Sequence, residues 1–124
     1  MRIIVAGWLI YEGGAQGGEA TCRDIITGAA DHIASSRGET GCIAYNWAID
    51  PLEPGKIHVF EEWESVEHLL GHFRHPSYLA MRAHLEKWTI TGFGVQIYAA
   101  SGIEQVYDET GWPRREIFGV SLPD

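Results

Sequence analysis

The chain has 124 residues, the length of one ordinary domain, and 45% of them are hydrophobic, which excludes an intrinsically disordered protein. Nine Lys and Arg against seventeen Asp and Glu give a net charge of −8. Binding to nucleic acid or to an anionic membrane surface requires clustered positive charge, so we expect neither partner, and no apolar run approaches the roughly 18 residues of a membrane span.

The first third of the chain predicts one strand and one long helix. Residues 2–11 (RIIVAGWLIY) are rich in β-branched and aromatic types, which favours a buried strand rather than a signal peptide. Four glycines mark residues 12–18 as a loop, because glycine is costly to hold in regular structure. From 19 to 37 the apolar residues recur at steps of three and four, which predicts a helix ended by Gly38.

Two strands follow, and their spacing predicts a hairpin. Residues 42–50 alternate in character, which places on one face Ile43, Tyr45, Trp47 and Ile49. The segment 51–55 (PLEPG) is typical of a turn. Residues 56–63 form the third strand, and the same alternation brings together Ile57, Val59, Glu61 and Trp63.

Two short helices and a fourth strand complete the predicted elements. Ser65 caps a helix that carries on one side Val66, Leu69, Leu70 and Phe73. Pro76 suits the first position of a second helix, which runs to about Lys87. Residues 91–100 form the fourth strand, and 103–107 predict a short fifth.

The order β-α-β-β-α-β is that of a ferredoxin-like α+β fold, with an antiparallel sheet and its helices on one face. Residues 1–102 make up this domain, and 103–124 form a tail. The second and third strands carry bulky apolar residues on both faces, so a second copy of the sheet is the simplest cover for the other face. We expect a homodimer in which Trp112, Ile117 and Phe118 of the tail pack on the partner.

The two cysteines, Cys22 and Cys42, are too few for a disulfide framework. Each lies in an apolar segment, where a free thiol behaves as a small hydrophobic group. We therefore expect reduced thiols and a cytoplasmic protein.

Polar side chains cluster where the third strand meets the two short helices. His68 and His72 are four residues apart and share a helix face, which leaves open a metal site, an organic-ligand pocket or a solvated surface. Each of the other candidate residues has two open interpretations, a role in a ligand pocket and a structural or surface role. These residues are Asn46, His58, Trp63, Tyr78 and Arg82.

Three motifs in order resemble one family. They are Glu39-Thr40-Gly41-Cys42-Ile43-Ala44-Tyr45, Glu61-Glu62-Trp63-Glu64-Ser65 and Leu69-Leu70-Gly71-His72-Phe73. Over roughly residues 2–100 the chain resembles the antibiotic biosynthesis monooxygenase domain, in particular its quinol-monooxygenase branch. The tail lies outside this resemblance.

The resemblance implies a dimeric α/β barrel with a pocket between sheet and helices. It also implies oxidation of a small hydroxylated aromatic or quinone-like molecule by O₂, with no metal, flavin or haem cofactor. By this analogy His72 is the proton acceptor, Trp63 a wall that stacks on the ring, and Glu61 the partner that orients them. The expected substrate-binding residues are Asn46, His58, His75, Tyr78 and Arg82.

One residue departs from the quinol-type pattern. Ser77 stands where those relatives place a histidine directly after the proline, and His75 stands just before that proline. His75 is the candidate substitute. Two alternative functions stay open in the same fold: an isomerase-type enzyme, and a dimer that binds a small ligand without catalysis.

Overall fold

The computed structural model describes residues 1–13 and 18–124 of the chain and shows an α+β fold. The predicted loop at 12–18 lies in part outside the described residues. The elements are β1 (Arg2–Tyr11), α1 (Gly18–Gly28), α2 (Ala30–Arg37), β2 (Cys42–Ile49), β3 (Lys56–Trp63), α3 (Val66–Arg74), α4 (Pro76–Leu85), β4 (Ile90–Ala100), β5 (Glu116–Ile117) and β6 (Val120–Ser121).

The main sheet confirms the ferredoxin-like topology. Its four antiparallel strands lie in the order β2-β3-β1-β4, so the first and third strands are central. The helices pack on one face, where two clusters of buried side chains centre on Trp63 and on Ile25. Within the described ranges, no helix has the length and apolarity to cross a bilayer.

The single long helix predicted from 19 to 37 is wrong, because the chain breaks at Ala29 into α1 and α2. The Ala29 amide donates to the Ile26 carbonyl at 3.1 Å, one residue short of the α-helical partner. The carbonyl of Ile25 bonds Nε2 of His84 instead, at 2.8 Å. A side chain from α4 thus takes over the hydrogen bond at the break. Gly38 does end α2, with a right-handed φ of −86°.

The prediction that Ile43 shares the buried face of β2 is wrong. The register with β3 shifts between Cys42 and Ala44, which makes Ile43 the extra residue of a bulge. Ile43 is therefore 42% exposed, and Cys42 packs against the core in its place. Beyond the bulge the alternation holds, and Tyr45 is buried.

The two short helices begin where the sequence predicts. Ser65 accepts a hydrogen bond from the His68 amide at 3.2 Å, and Pro76 is the first residue of α4. The helix α4 ends at Leu85, two residues earlier than expected. The predicted apolar side of α3 is wrong in part, since only Leu69 of its four residues is buried and the others are exposed.

The tail forms no strand over 103–107, contrary to the prediction. Asp108 reverses the chain directly afterwards, because its Oδ1 accepts hydrogen bonds from the amides of Thr110 and Trp112 at 2.8 and 3.2 Å. Tyr107 then forms an isolated bridge with Pro113, and β5 pairs with β6 as a short hairpin.

Candidate active site

A cavity of about 360 Å³ lies between the sheet and the helices α3 and α4. Its size falls in the range of pockets that hold small organic ligands. Most of its wall is apolar, with side chains from β1, β2, β3 and β4 below and from α3 and α4 above. Among the described residues that line it, Glu61 and Arg82 are the charged ones.

The mouth of the cavity opens over β4. The register with β1 puts Phe93, Val95 and Ile97 on the face that carries the helices elsewhere in the sheet. These side chains are nevertheless 73%, 39% and 60% exposed, so the helices do not cover them. Val95 and Ile97 line the cavity, which gives a ligand a direct entry past an apolar edge.

Glu61 is the acidic group of the cavity wall. The alternation of β3 turns it toward the helices beside Val59 and Trp63, and only 7% of it is exposed. Its pKa is raised to about 7, mainly by burial. A hydrogen bond from Trp63 Nε1 at 3.0 Å lowers the pKa in part, and the nearby charge of Glu39 adds a smaller rise. Glu61 can therefore both accept and release a proton near neutral pH.

His72 lies directly behind Glu61 and is 1% exposed. Its Nε2 is 3.8 Å from Oε1 of Glu61, and its Nδ1 is 2.8 Å from Oε2 of Glu39. Its ring packs on Trp63 with centroids 4.6 Å apart. His72 and Trp63 are thus in contact with the acidic group but are not part of the cavity wall.

Glu39 is the residue that the sequence reasoning did not single out. Its carboxylate is almost fully buried and accepts hydrogen bonds from His72 and from Ser77 Oγ, the latter at 2.8 Å. It comes from the loop between α2 and β2, far from α3 in the sequence. Its place at the start of the motif Glu39–Tyr45 is the sequence signal that could have identified it.

Of the five expected substrate-binding residues, two line the cavity. Tyr78 and Arg82 lie one turn apart on α4, and Arg82 Nη1 donates to the Tyr78 hydroxyl at 3.4 Å. His75 lies at the junction of α3 and α4, is 44% exposed at its side chain, and accepts a hydrogen bond from the Ser77 amide. It borders a second, polar depression on the surface.

Asn46 and His58 do not reach the cavity, because the pleat of β2 and β3 turns both toward the opposite face of the sheet. There Asn46 binds Arg37, and His58 Nε2 bonds Asp50 at 2.7 Å. Over residues 1–13 and 18–124, no group of three or more His, Cys, Asp or Glu side chains is arranged to hold a metal ion.

The fold and this cavity define a ferredoxin-like α+β domain with an open cavity of ligand size. The model of the antibiotic biosynthesis monooxygenase family matches residues 18–84, which is just over half of the chain. The chain therefore belongs to the antibiotic biosynthesis monooxygenase family.

Solved structures share the fold. A "putative antibiotic biosynthesis monooxygenase" of Deinococcus radiodurans is 21% identical, with a TM-score of 0.68 over 86% of this chain and 99% of that one. A protein of the same description from Nitrosomonas europaea is 12% identical, with a TM-score of 0.68 over 81% and 90%. A Bacteroides thetaiotaomicron protein described as a "possible oxidoreductase" is 18% identical, with a TM-score of 0.64 over 78% and 95%. No curated protein matches.

Proposed function

We propose that this protein is a monooxygenase that oxidises a small hydroxylated aromatic molecule to a quinone with O₂. The observation that carries the proposal is Glu61, a buried carboxyl with a pKa of about 7 in the wall of an apolar cavity. A phenol takes up O₂, one oxygen atom becomes the second ring carbonyl, and the other leaves as water. The family resemblance adds that no metal, flavin or haem takes part.

The cavity supports this chemistry in three ways. Its apolar wall, with Val5, Val59 and Ile97, holds an aromatic ring and excludes water from it. Glu61 accepts the proton of the ring hydroxyl, which leaves an electron-rich phenolate that can reduce O₂. Arg82 and Tyr78 on α4 bind the polar substituents of the ring.

The geometry favours an exchange of the roles expected for His72 and Glu61. Glu61 meets the substrate, and His72 supports it from behind through the 3.8 Å contact. Trp63 donates a hydrogen bond to Glu61 and packs on His72, so it orients both side chains rather than stacking on the substrate. In this assignment Glu61 is the catalytic base, and His72 and Trp63 are positioning residues.

We also propose a homodimer that uses the sheet face opposite the helices. On that face Trp8 lies flat across β4, where a Cβ on Gly94 would come within 2.7 Å of its ring. Phe60 and Tyr98 are 41% and 49% exposed on the same face, which leaves a broad apolar surface for a second sheet.

The free thiols of Cys22 and Cys42 are those expected in a reducing cytoplasm.

The tail supplies a second apolar surface. Phe118 and Val120 of the β5–β6 hairpin are 60% and 72% exposed, and Trp112 of the preceding turn is 73% exposed. Deletion of residues 103–124 is expected to weaken the dimer roughly tenfold or more, because the partner loses these contacts. Sedimentation velocity across a dilution series measures this effect. An unchanged dimerisation constant would refute the role of the tail.

Oxygen uptake tests the proposed reaction. The purified protein is mixed with a panel of hydroquinones and hydroxylated aromatics, and uptake is compared with quinone formation, which are expected in a one-to-one ratio. Val95→Trp fills the cavity mouth at a partly exposed position and is expected to lower uptake roughly tenfold or more. Leu79→Trp, on an exposed part of α4 outside the cavity, is the matched control.

The outcomes separate the alternative functions. Turnover without oxygen uptake indicates an isomerase-type enzyme in the same cavity. A rise in melting temperature with an aromatic compound, in the absence of any turnover, indicates a ligand-binding protein. Equal uptake by Val95→Trp and wild type would contradict the placement of the site.

A further inference from the structure

A ligand that fills the cavity isolates Glu61 from water. The side chain of Glu61 is only 9% exposed even when the cavity is empty, and the ligand would cover the remaining surface. On the proposed function, Glu61 takes the proton of the ring hydroxyl, and the oxygen atom that leaves as water takes up a proton later in the same turnover. Glu61 therefore exchanges protons while the ligand covers it. An outlet on the side away from the substrate would allow this while the site stays closed.

We infer that a proton relay connects Glu61 to the protein surface through His72, Glu39, Ser77 and His75. The inference rests on the proposed function for the reason that Glu61 must exchange protons. The path itself rests on the observed side-chain contacts. The successive distances are 3.8 Å to His72, 2.8 Å to Glu39, 2.8 Å to Ser77 and 2.7 Å to His75. The first three side chains of this route are buried, and the side chain of His75 is 44% exposed.

The inner half of the relay has the hydrogen-bond arrangement that a transfer needs. Glu39 accepts from Nδ1 of His72, which keeps the proton on that nitrogen and leaves the Nε2 lone pair toward Glu61. Glu61 gives its proton to Nε2, and His72 passes its Nδ1 proton to Glu39. The 3.8 Å step is longer than a hydrogen bond, so a small shift of either side chain completes it.

The outer half of the relay depends on the hydroxyl of Ser77. Nδ1 of His75 accepts the Ser77 amide at 3.1 Å, so this nitrogen is an acceptor. The Ser77 hydroxyl therefore has one proton and two acceptors, Glu39 Oε2 and His75 Nδ1. It takes the proton from Glu39 and gives its own to His75, whose Nε2 proton then passes to water. Each group gains and loses one proton, and nothing is oxidised.

Neither Ser77 nor His75 lines the cavity, so both act on Glu61 through Glu39 and His72. Ser77 carries the proton across a short gap, and His75, on the other side of the proline, supplies the imidazole. The two residues together provide the path to the surface.

The rate at which Glu61 binds a proton after a pH jump tests the relay. The carboxylic C=O infrared band, assigned by its loss in Glu61→Gln, reports that rate without any substrate. The measurement uses the full chain with Val95→Trp, which closes the mouth of the cavity. Ser77→Ala and His75→Asn are each expected to slow the rate roughly tenfold or more, since Asn keeps the helix cap but carries no proton.

A control and a rescue separate the relay from a structural effect. His68 borders the same surface depression but bonds Ser65, so His68→Asn is expected to leave the rate unchanged. Imidazole in solution is expected to restore the rate of proton binding in His75→Asn, because the missing group lies at the surface. It is not expected to restore the rate in Ser77→Ala, because the missing hydroxyl is buried. Wild-type rates in both Ser77→Ala and His75→Asn would overturn the relay. Because this readout needs no turnover, absence of oxygen uptake would reject only the proposed reaction.

Discussion

Glu61→Gln is expected to lower the rate of aromatic oxidation by about 10²–10⁴-fold, the usual contribution of a general base. The amide has the same shape and still accepts the Trp63 hydrogen bond, but it cannot take a proton from the substrate. In the wild type the ionised carboxylate is the active form, so kcat is expected to rise with pH and level off above the pKa of about 7. Oxygen uptake over a pH series measures both effects.

The neighbouring carboxylate is the matched control for this experiment. Glu62 lies next in β3, on the opposite face of the sheet, where it pairs with Arg2 at 2.6 Å. Glu62→Gln is therefore expected to keep the wild-type rate and the wild-type pH profile. A Glu61→Gln variant with the same rate and profile would show that another group removes the proton.

The second large effect concerns stability, and it has an unusual sign for a carboxyl group. The pKa of Glu61 is raised in the fold from the ordinary 4.5 to about 7. Between these values the folded chain holds a proton that the unfolded chain has released, so the free energy of unfolding falls as pH rises. The contribution is fully present below the unfolded value, is lost as pH rises to about 7, and amounts to about 3 kcal/mol.

Urea unfolding at about pH 4 and about pH 8 measures this loss. Wild type is expected to lose about 3 kcal/mol more than Glu61→Gln over this interval, because glutamine does not titrate. Glu62→Gln keeps Glu61 and is expected to follow the wild type. Equal losses of unfolding free energy in wild type and Glu61→Gln would mean that folding does not raise the pKa of Glu61 above its ordinary 4.5. The other titratable and charged groups that face Glu61 are the same in wild type and in both variants, so the comparison isolates Glu61. These groups are Glu39, Tyr45 and His72, together with Tyr78 and Arg82, which line the same cavity.

The sequence predicted the local elements well, since their signals lie within a few residues. The strand β3 has the predicted bounds, and its alternation correctly turns Glu61 and Trp63 toward the helices. The cap at Ser65 and the helix start at Pro76 rest on the chemistry of single residues, and the structure contains both. Hydrophobic period and capping act within one element, so the sequence alone determines them.

Contacts between distant segments decided the rest. The break at Ala29 depends on His84, 59 residues beyond the Ile25 carbonyl that it binds. The pairing of Glu39 with His72 joins residues 33 apart, and the position of Glu61 in front of His72 follows from how α3 packs on β3. Such relations depend on the relative position of whole elements, which residue type and spacing do not encode. The sequence by itself therefore determined the fold class and the face of β3 on which Glu61 lies. Only the tertiary structure decided which side chains meet the cavity and which connect it to the surface.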